Sequence, residues 1–190
     1  MKTLYFITSN MGKLHEAKTK LAPLGYKVIQ KDLGYPEIQA ETLQEVAHFG
    51  VKHIQKRLDH PFILEDAGLF IDKLHGFPGV YSSYVYFTIG LQGILSLLKG
   101  VPEKKRTAVF KSVFAYAAPQ GEESLFTGQC LGQISMRLRG KKGFGYDPLF
   151  IPSSAQKTFA EMDTKEKNLY SHRGKSLEKL ALYLEKRVNV

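Results

Sequence analysis

The chain has 190 residues, of which 43% are hydrophobic, so it is long enough to bury a sizeable core as one domain over residues 1–190. Its single cysteine, Cys130, excludes an internal disulfide and a zinc site of several cysteines, and no apolar run reaches membrane-spanning length, so we expect a soluble, cytoplasmic protein with no membrane partner. The net charge of +9 at pH 7 is compatible with binding of a nucleotide or of a nucleic acid. It is equally compatible with a charged surface that binds neither.

The chain begins with a strand, a polar loop and a helix. Residues 3–7 are apolar and aromatic and predict a buried strand, and residues 8–10 carry helix-capping side chains. Leu14 and Leu21 then recur at helical spacing. Backbone N–H groups at a helix N-terminus can bind an anion, and Lys13 in the first turn suits a phosphate, although a plain capped helix fits the same pattern.

A second strand and a second helix follow. Residues 26–31 predict a strand that returns beside the first in a right-handed βαβ unit. Pro36 stiffens the next loop and can hold the neighbouring Glu37 in place. Residues 42–45 match a capping box, which predicts the start of an amphipathic helix.

Residues 62–83 are the stretch around which the chain is organised. The apolar residues 62–64 predict a short buried strand that delivers Glu65 and Asp66 into a turn at Gly68. Since adjacent strand residues point to opposite faces, one carboxylate can face a cleft while the other turns back to a support or a metal. A tight turn at 76–79 and an aromatic, hydroxyl-rich stretch follow, which together suggest a ligand with a flat part and a charged part.

The second half of the chain predicts further elements in order. They are a helix over 89–98 capped by Thr88, a β-hairpin of strands 106–118 and 123–138, a glycine-rich loop over 141–148, a strand over 149–151, a short helix capped by Asp163 or Thr164, and a longer helix with an apolar stripe from Leu177 to Val188. A cationic corner that includes Lys167, His172 and Arg173 lies between the last two helices.

Five motifs occur in one order between residues 8 and 174. They are Thr8-Ser9-Asn10-Met11-Gly12-Lys13 with Glu16, Glu65-Asp66-Ala67-Gly68-Leu69, Gly76-Phe77-Pro78-Gly79-Val80-Tyr81-Ser82, Gly143-Phe144-Gly145-Tyr146-Asp147-Pro148, and Lys167-Asn168 with Ser171-His172-Arg173-Gly174. In these motifs and their order the chain resembles the family of inosine and xanthosine triphosphate pyrophosphatases, which act on non-canonical purine nucleoside triphosphates.

The resemblance implies an α/β fold with two lobes, a long twisted mixed β-sheet and a nucleotide-binding cleft between the lobes. It also implies a homodimer and Mg²⁺-dependent hydrolysis of ITP, dITP and XTP to the monophosphate and pyrophosphate, an activity that cleanses the nucleotide pool. A stable nucleic-acid partner is not expected.

The resemblance also implies site residues. Those expected to hold the phosphates are Thr8, Ser9, Asn10, Met11, Gly12 and Lys13. Glu37 and Asp66 are expected to bind the metal, and Asp66 to activate water. Ala67 stands where the family often has Ser or Thr, so only its backbone N–H can serve there. The residues expected to surround the base and sugar are Phe144, Gly145, Tyr146, Asp147, Lys167, His172 and Arg173.

Several alternatives stay open at this level. Either Glu65 or Asp66 can be the base, and either Phe144 or Tyr146 can stack on a purine whose 6-oxo group meets cationic donors. Maf-like nucleotide pyrophosphatases would share the architecture, and a basic module that binds RNA or DNA is the non-enzymatic rival. The aromatic stretch 81–87 is a candidate dimer contact.

Overall fold

The computed structural model describes residues 1–36, 38–119 and 121–187. The strands in this part of the chain are β1 (Lys2–Ile7), β2 (Tyr26–Lys31), β3 (Phe62–Ile71), β4 (Pro78–Gly79), β5 (Thr107–Ala117), β6 (Glu123–Ile134) and β7 (Phe150–Pro152). The helices are α1 (Met11–Leu21), α2 (Leu43–Gln55), α3 (Ser82–Thr88), α4 (Gly90–Leu97), α5 (Thr164–Tyr170) and α6 (His172–Lys186). None of the helices described is both long and apolar enough to cross a membrane.

The strands form a seven-stranded mixed sheet in the order β2-β1-β3-β5-β6-β7, with β4 paired to β3. Strand β1 pairs in parallel with both β2 and β3, whereas β4 is antiparallel to β3 and β7 is antiparallel to β6. The predicted βαβ unit and the mixed α/β class are therefore confirmed.

The chain divides into two compact units, each with its own apolar core. The first unit comprises Met1–Asp66, Ser112–Gly128 and Lys175–Val190. The apolar stripes of α1 and α6 pack in its core together with side chains of β1 and β2, as the helical spacing predicted. Val188, the last residue of the predicted stripe on α6, lies outside the described residues.

The second unit comprises Ala67–Lys111 and Gln129–Gly174. Its core includes Phe110, Phe150 and Phe159, whose rings contact one another, and the buried thiol of Cys130. Cys130 belongs to β6, within the strand predicted over residues 123–138.

Two of the predicted helix caps, at Thr42 and Asp163, are present. Thr42 Oγ1 accepts a hydrogen bond from the Glu45 N–H at 3.2 Å, and Glu45 Oε2 accepts one from the Thr42 N–H at 2.9 Å, which closes the capping box of α2. The backbone N–H groups of Thr42 and Glu41 both donate to the Glu45 carboxylate, and these two hydrogen bonds hold the pKa of Glu45 below its usual value. Asp163 caps α5 by accepting from the Glu166 N–H.

The predicted turn at Gly68 is wrong, because β3 runs without interruption from Phe62 to Ile71. Gly68 serves a close approach of two strands instead. A β-carbon at this position would lie 2.3 Å from the carbonyl oxygen of Gly79 in β4. Glu65 and Asp66 consequently lie in the middle of a strand, and their side chains leave opposite faces of it.

Substitution of Gly68 by Ala is expected to lower the free energy of unfolding by about 1–3 kcal/mol, because the added methyl group overlaps backbone that cannot move independently of the sheet. Denaturant unfolding of the variant measures the effect. Ser83→Ala, at an exposed position of α3, is the control and should stay within about 0.5 kcal/mol of the parent chain. Equal stability of the two variants would contradict the close approach.

Three other predicted boundaries are corrected. Thr88 ends α3 rather than capping the next helix, since its hydroxyl donates back to the carbonyl of Tyr84 at 2.9 Å. Strand β6 ends at Ile134 rather than at 138, because Ser135 turns the chain by donating its hydroxyl to the carbonyl of Arg137. The predicted cationic corner does not lie between the last two helices, since Lys167 belongs to α5 and α6 begins at His172.

Candidate active site

The loop before α1 is held in shape by its own side chains. Thr8 Oγ1 accepts from the Asn10 N–H, and Asn10 Oδ1 accepts from the Lys13 N–H, each at 3.1 Å. Gln30 of β2 donates its side-chain amide to the carbonyl of Thr8 at 3.0 Å. The predicted cap is confirmed, and the loop is preorganised at the positively polarised end of an eleven-residue helix.

Lys13 forms an ion pair with Glu65 in the first unit. Its ammonium lies 2.6 Å from Glu65 Oε2 and also donates to the backbone carbonyl of Glu65 at 3.0 Å. The Glu65 side chain is 0% exposed, whereas that of Lys13 is 19% exposed. Of the two adjacent carboxylates, Glu65 is therefore the one that faces a support, and that support includes the lysine expected to contact phosphate.

Asp66 leaves the other face of β3 and is partly exposed. Its Oδ2 accepts a hydrogen bond of 2.9 Å from the Tyr35 hydroxyl. The Tyr35 ring is in turn held against α2, where a β-carbon on Gly50 would lie 3.0 Å from the ring. Sequence reasoning missed Tyr35, although an aromatic residue beside Pro36, in the loop that carries an acidic residue, was the available signal.

The predicted metal ligands are Glu37 and Asp66. Glu37 lies outside the described residues, and no group of three or more potential metal ligands occurs in the part of the chain that the structure covers. Asp66 supplies a partly exposed carboxylate of the hard-oxygen type that Mg²⁺ prefers, and Mg²⁺ completes its shell with waters and phosphate oxygens. The donor set therefore fits Mg²⁺ with one or two protein carboxylates.

A second cluster, in the second unit, is centred on Asp147. Its Oδ2 accepts from the backbone N–H of Phe144 at 2.8 Å and from the Lys167 ammonium at 2.7 Å. Both side chains of the Lys167–Asp147 pair are buried. Gly143 has φ +74°, and a β-carbon there would lie 2.0 Å from the same oxygen, so only glycine permits this closed loop.

The half-buried ring of Phe144 is flanked by two cations. The Lys167 ammonium lies 4.7 Å from the ring centroid, and the Arg173 guanidinium carbon lies 5.1 Å from it. Both distances are in the range of cation–π attraction. The structure thus gathers Phe144, Asp147, Lys167 and Arg173 in one place, as the motifs predicted.

His172 and Arg173 occupy the first turn of α6 and are both buried. Ser171 fixes the start of this helix, because its Oγ accepts from the Gly174 N–H at 2.9 Å. The His172 imidazole stacks on Phe110 with a centroid distance of 4.5 Å and an interplanar angle of 11°. Sequence reasoning missed Phe110, since nothing in its local pattern distinguishes it from other aromatic strand residues.

Tyr146 is a core residue of the second unit. Its hydroxyl donates to the carbonyl of Ser82 at 2.7 Å, and its ring meets that of Tyr86 edge to face. Burial, with a smaller effect of Tyr86, raises the pKa of the Tyr146 hydroxyl well above its usual value, so it remains a donor at neutral pH. Of the two rings considered for stacking, only that of Phe144 is partly exposed.

A family model described as Ham1 family matches residues 4–183. The chain belongs to the Ham1 family. The Ham1 family membership confirms the resemblance that the five ordered motifs indicated.

Curated relatives match nearly the whole chain. A protein named dITP/XTP pyrophosphatase from Thermococcus kodakarensis is 55% identical over 182 residues, which are 96% of this chain and 97% of the relative. A protein of the same name from Pyrococcus horikoshii is 50% identical over 92% of both chains.

Solved structures of Ham1 proteins have the same fold. The Ham1 protein of Staphylococcus aureus has a TM-score of 0.85 and 28% identity, and the comparison covers 98% of this chain and 100% of that one. A HAM1 protein from Coxiella burnetii has the same TM-score and coverage with 33% identity.

Proposed function

We propose that this Ham1 protein hydrolyses non-canonical purine nucleoside triphosphates, namely ITP, dITP and XTP, to the monophosphate and pyrophosphate. The observation that carries the proposal is that two adjacent carboxylates have different surroundings. Glu65 anchors the Lys13 ammonium, whereas Asp66 is partly exposed on the opposite face. The names of the relatives from Thermococcus kodakarensis and Pyrococcus horikoshii support the same reaction.

The triphosphate is bound by the loop of residues 8–13. A nucleoside triphosphate carries close to four negative charges, and its hydrolysis requires their neutralisation with an aligned water rather than covalent work by the protein. The backbone N–H groups at the start of α1 and the Lys13 ammonium supply positive charge in fixed positions. Preorganisation by Thr8 and Asn10 avoids a reorganisation cost at the moment of reaction.

Asp66 accepts the proton of the attacking water. Its carboxylate is oriented by the hydrogen bond from the Tyr35 hydroxyl, which donates to Oδ2. Glu65 is less suited to this role, because its buried carboxylate pairs with the Lys13 ammonium and accepts a hydrogen bond from the Ser112 hydroxyl. Asp66 and Glu37 would hold Mg²⁺, which when bound neutralises charge on the phosphate oxygens.

The purine is recognised by the Asp147 cluster. Phe144 offers a partly exposed ring for stacking, and Lys167, His172 or Arg173 donates to the 6-oxo group. Gly145 and the buried Tyr146 contact the nucleotide through their backbone, as does Ala67. Adenine presents an amino group where these donors require an acceptor, so it leaves buried donors unpaired. Guanine carries the same 6-oxo acceptor, so the site must exclude it through contacts at its 2-amino group.

Pyrophosphate release from ITP, dITP, XTP, GTP and ATP, each with Mg²⁺ and with excess chelator, tests the proposal. We expect kcat/KM for ITP to exceed that for ATP by roughly 10²-fold or more. The reason is that hydrogen-bond donors placed for a 6-oxo group are left unpaired by the 6-amino group of adenine. Chelation is expected to stop the reaction. Equal kcat/KM values for ITP and ATP would contradict the donor pocket, and absence of pyrophosphate release from every nucleotide would contradict the proposed reaction.

The remaining features are proposed on the same basis. A single catalytic domain over residues 1–190, a nucleotide-binding cleft, a homodimer and a cytoplasmic location stay predictions. The homodimer is supported by the exposed aromatic side chains of α3, since Tyr84 is 65% and Phe87 is 82% exposed. Sedimentation equilibrium of the whole chain measures the oligomeric state. The cytoplasmic location is supported by the single cysteine, which suits a reducing compartment.

A further inference from the structure

Behind Lys13 lies a line of polar side chains that no motif predicted. It runs from Lys13 of α1 to Glu65 of β3, Ser112 of β5 and Ser176 of α6, all in the first unit. Ser112 Oγ lies 2.7 Å from Glu65 Oε1 and 2.9 Å from Ser176 Oγ. Glu65, Ser112 and Ser176 are buried, so each of these contacts is shielded from water.

The direction of each hydrogen bond follows from the number of protons. A serine hydroxyl has one proton, and Ser112 donates it to Glu65, so Ser176 must be the donor to Ser112. The Lys13 ammonium forms an ion pair with the other oxygen of the same carboxylate, at 2.6 Å. The two serine hydroxyls are thus ordered toward one oxygen of the Glu65 carboxylate, and the Lys13 ammonium pairs with the other.

The consequence for Lys13 is a fixed ammonium group. A lysine side chain has a flexible stem and three N–H donors, and here one donor bonds to the backbone carbonyl of Glu65 while the ammonium charge pairs with the carboxylate of the same residue. The ammonium retains donor capacity for a further acceptor. Ordering the stem before the ligand arrives removes an entropy cost from binding.

We propose that Ser112 and Ser176 are positioning residues, which act through the buried Glu65 carboxylate to hold the Lys13 ammonium for a polyphosphate. The inference rests on the proposed function to the extent that Lys13 contacts the triphosphate. It goes beyond that function by assigning Glu65 to the positioning of Lys13 and excluding it as the base, and by extending the site to two serines outside the motifs.

The variants Ser112→Ala and Ser176→Ala test the inference. We expect the first to lower kcat/KM for ITP roughly 10-fold, because a hydrogen bond to a charged group is lost, and the second to lower it only about 3-fold. The same order is expected for the affinity of inorganic tripolyphosphate measured by calorimetry without metal. Ser112→Thr, which keeps the hydroxyl, should restore both values.

Ser135→Ala is the matched control, since Ser135 is equally buried and its hydroxyl donates to the carbonyl of Arg137 outside this line. It should change neither kcat/KM for ITP nor the affinity for tripolyphosphate by more than about 2-fold, even if it lowers the thermal stability. A loss with Ser112→Ala no larger than this control would overturn the inference.

A Lys13→Met background separates positioning from a general structural effect. If Ser112 acts through Lys13, then Ser112→Ala should alter tripolyphosphate affinity by less than about 2-fold in that background. An equal loss in both backgrounds would overturn the inference, as would a parent chain that binds no tripolyphosphate. If Lys13→Met does not fold, the comparison of Ser112→Ala with Ser112→Thr decides. Tripolyphosphate binding that follows the predicted order without pyrophosphate release would refute the proposed function alone.

Discussion

Replacement of Asp66 by Asn is expected to lower kcat for pyrophosphate release from ITP by roughly 10³-fold, within the range for loss of a general base. The amide is a poor proton acceptor and a weaker ligand for Mg²⁺. The fold should survive, because Asn has the same shape, the position is partly exposed, and the amide oxygen can still accept from the Tyr35 hydroxyl. Steady-state kinetics on purified protein, together with a thermal melting curve, measures both effects.

Asp72→Asn is the control for this variant, since Asp72 is an exposed acid shortly after the end of β3. It should retain kcat within about 2-fold. Full activity of Asp66→Asn would assign the base to another group. If the chain were instead a nucleic-acid-binding module, removal of this negative charge would leave polymer affinity unchanged or slightly higher and would have no turnover to abolish.

Replacement of Lys167 by Met is expected to destabilise the protein by about 3–5 kcal/mol, because it leaves the Asp147 carboxylate buried without its ammonium partner. In a chain of this length that corresponds to a melting temperature lower by roughly 10 °C. The loss should be at the lower end of the range, since the Phe144 N–H still donates to the carboxylate. Differential scanning calorimetry measures the shift.

The double variant Asp147→Asn/Lys167→Met should recover much of this stability, because no unpaired charge remains buried. It should not recover the preference for ITP over ATP, which requires cationic donors beside Phe144. Lys165→Met, on an exposed face of the same helix, is the matched control for both readouts. A single Lys167→Met variant as stable as this control would contradict the buried ion pair.

The sequence predicted the elements whose signals are local. The caps at Asn10, Thr42 and Asp163 are present as predicted, because a capping side chain bonds to N–H groups two or three residues away. The apolar stripes of α1 and α6 and the parallel βαβ unit follow from periodicity and handedness in the same way. The ordered motifs were sufficient to predict the family to which the chain belongs.

The local pattern failed where a distant segment determines the conformation. Gly68 is a turn residue by its local chemistry, yet it lies inside β3 because the backbone of β4 approaches it closely. Thr88 carries a capping side chain, but its hydroxyl bonds to the preceding turn of α3. At Gly68 tertiary packing outweighed a propensity of small magnitude, whereas at Thr88 a hydrogen bond to a carbonyl four residues earlier competed with the cap.

The sequence by itself determined which residue types are available for a polyphosphate and a purine, and it left the roles of Glu65 and Asp66 undecided. Only the tertiary structure gave the two carboxylates different surroundings, through partners that are distant along the chain: Lys13 and Ser112 for Glu65, and Tyr35 for Asp66. It likewise placed His172 on Phe110. The physical reason is that burial and hydrogen bonding determine the chemistry of a carboxylate or an imidazole, and both depend on contacts that no local pattern encodes.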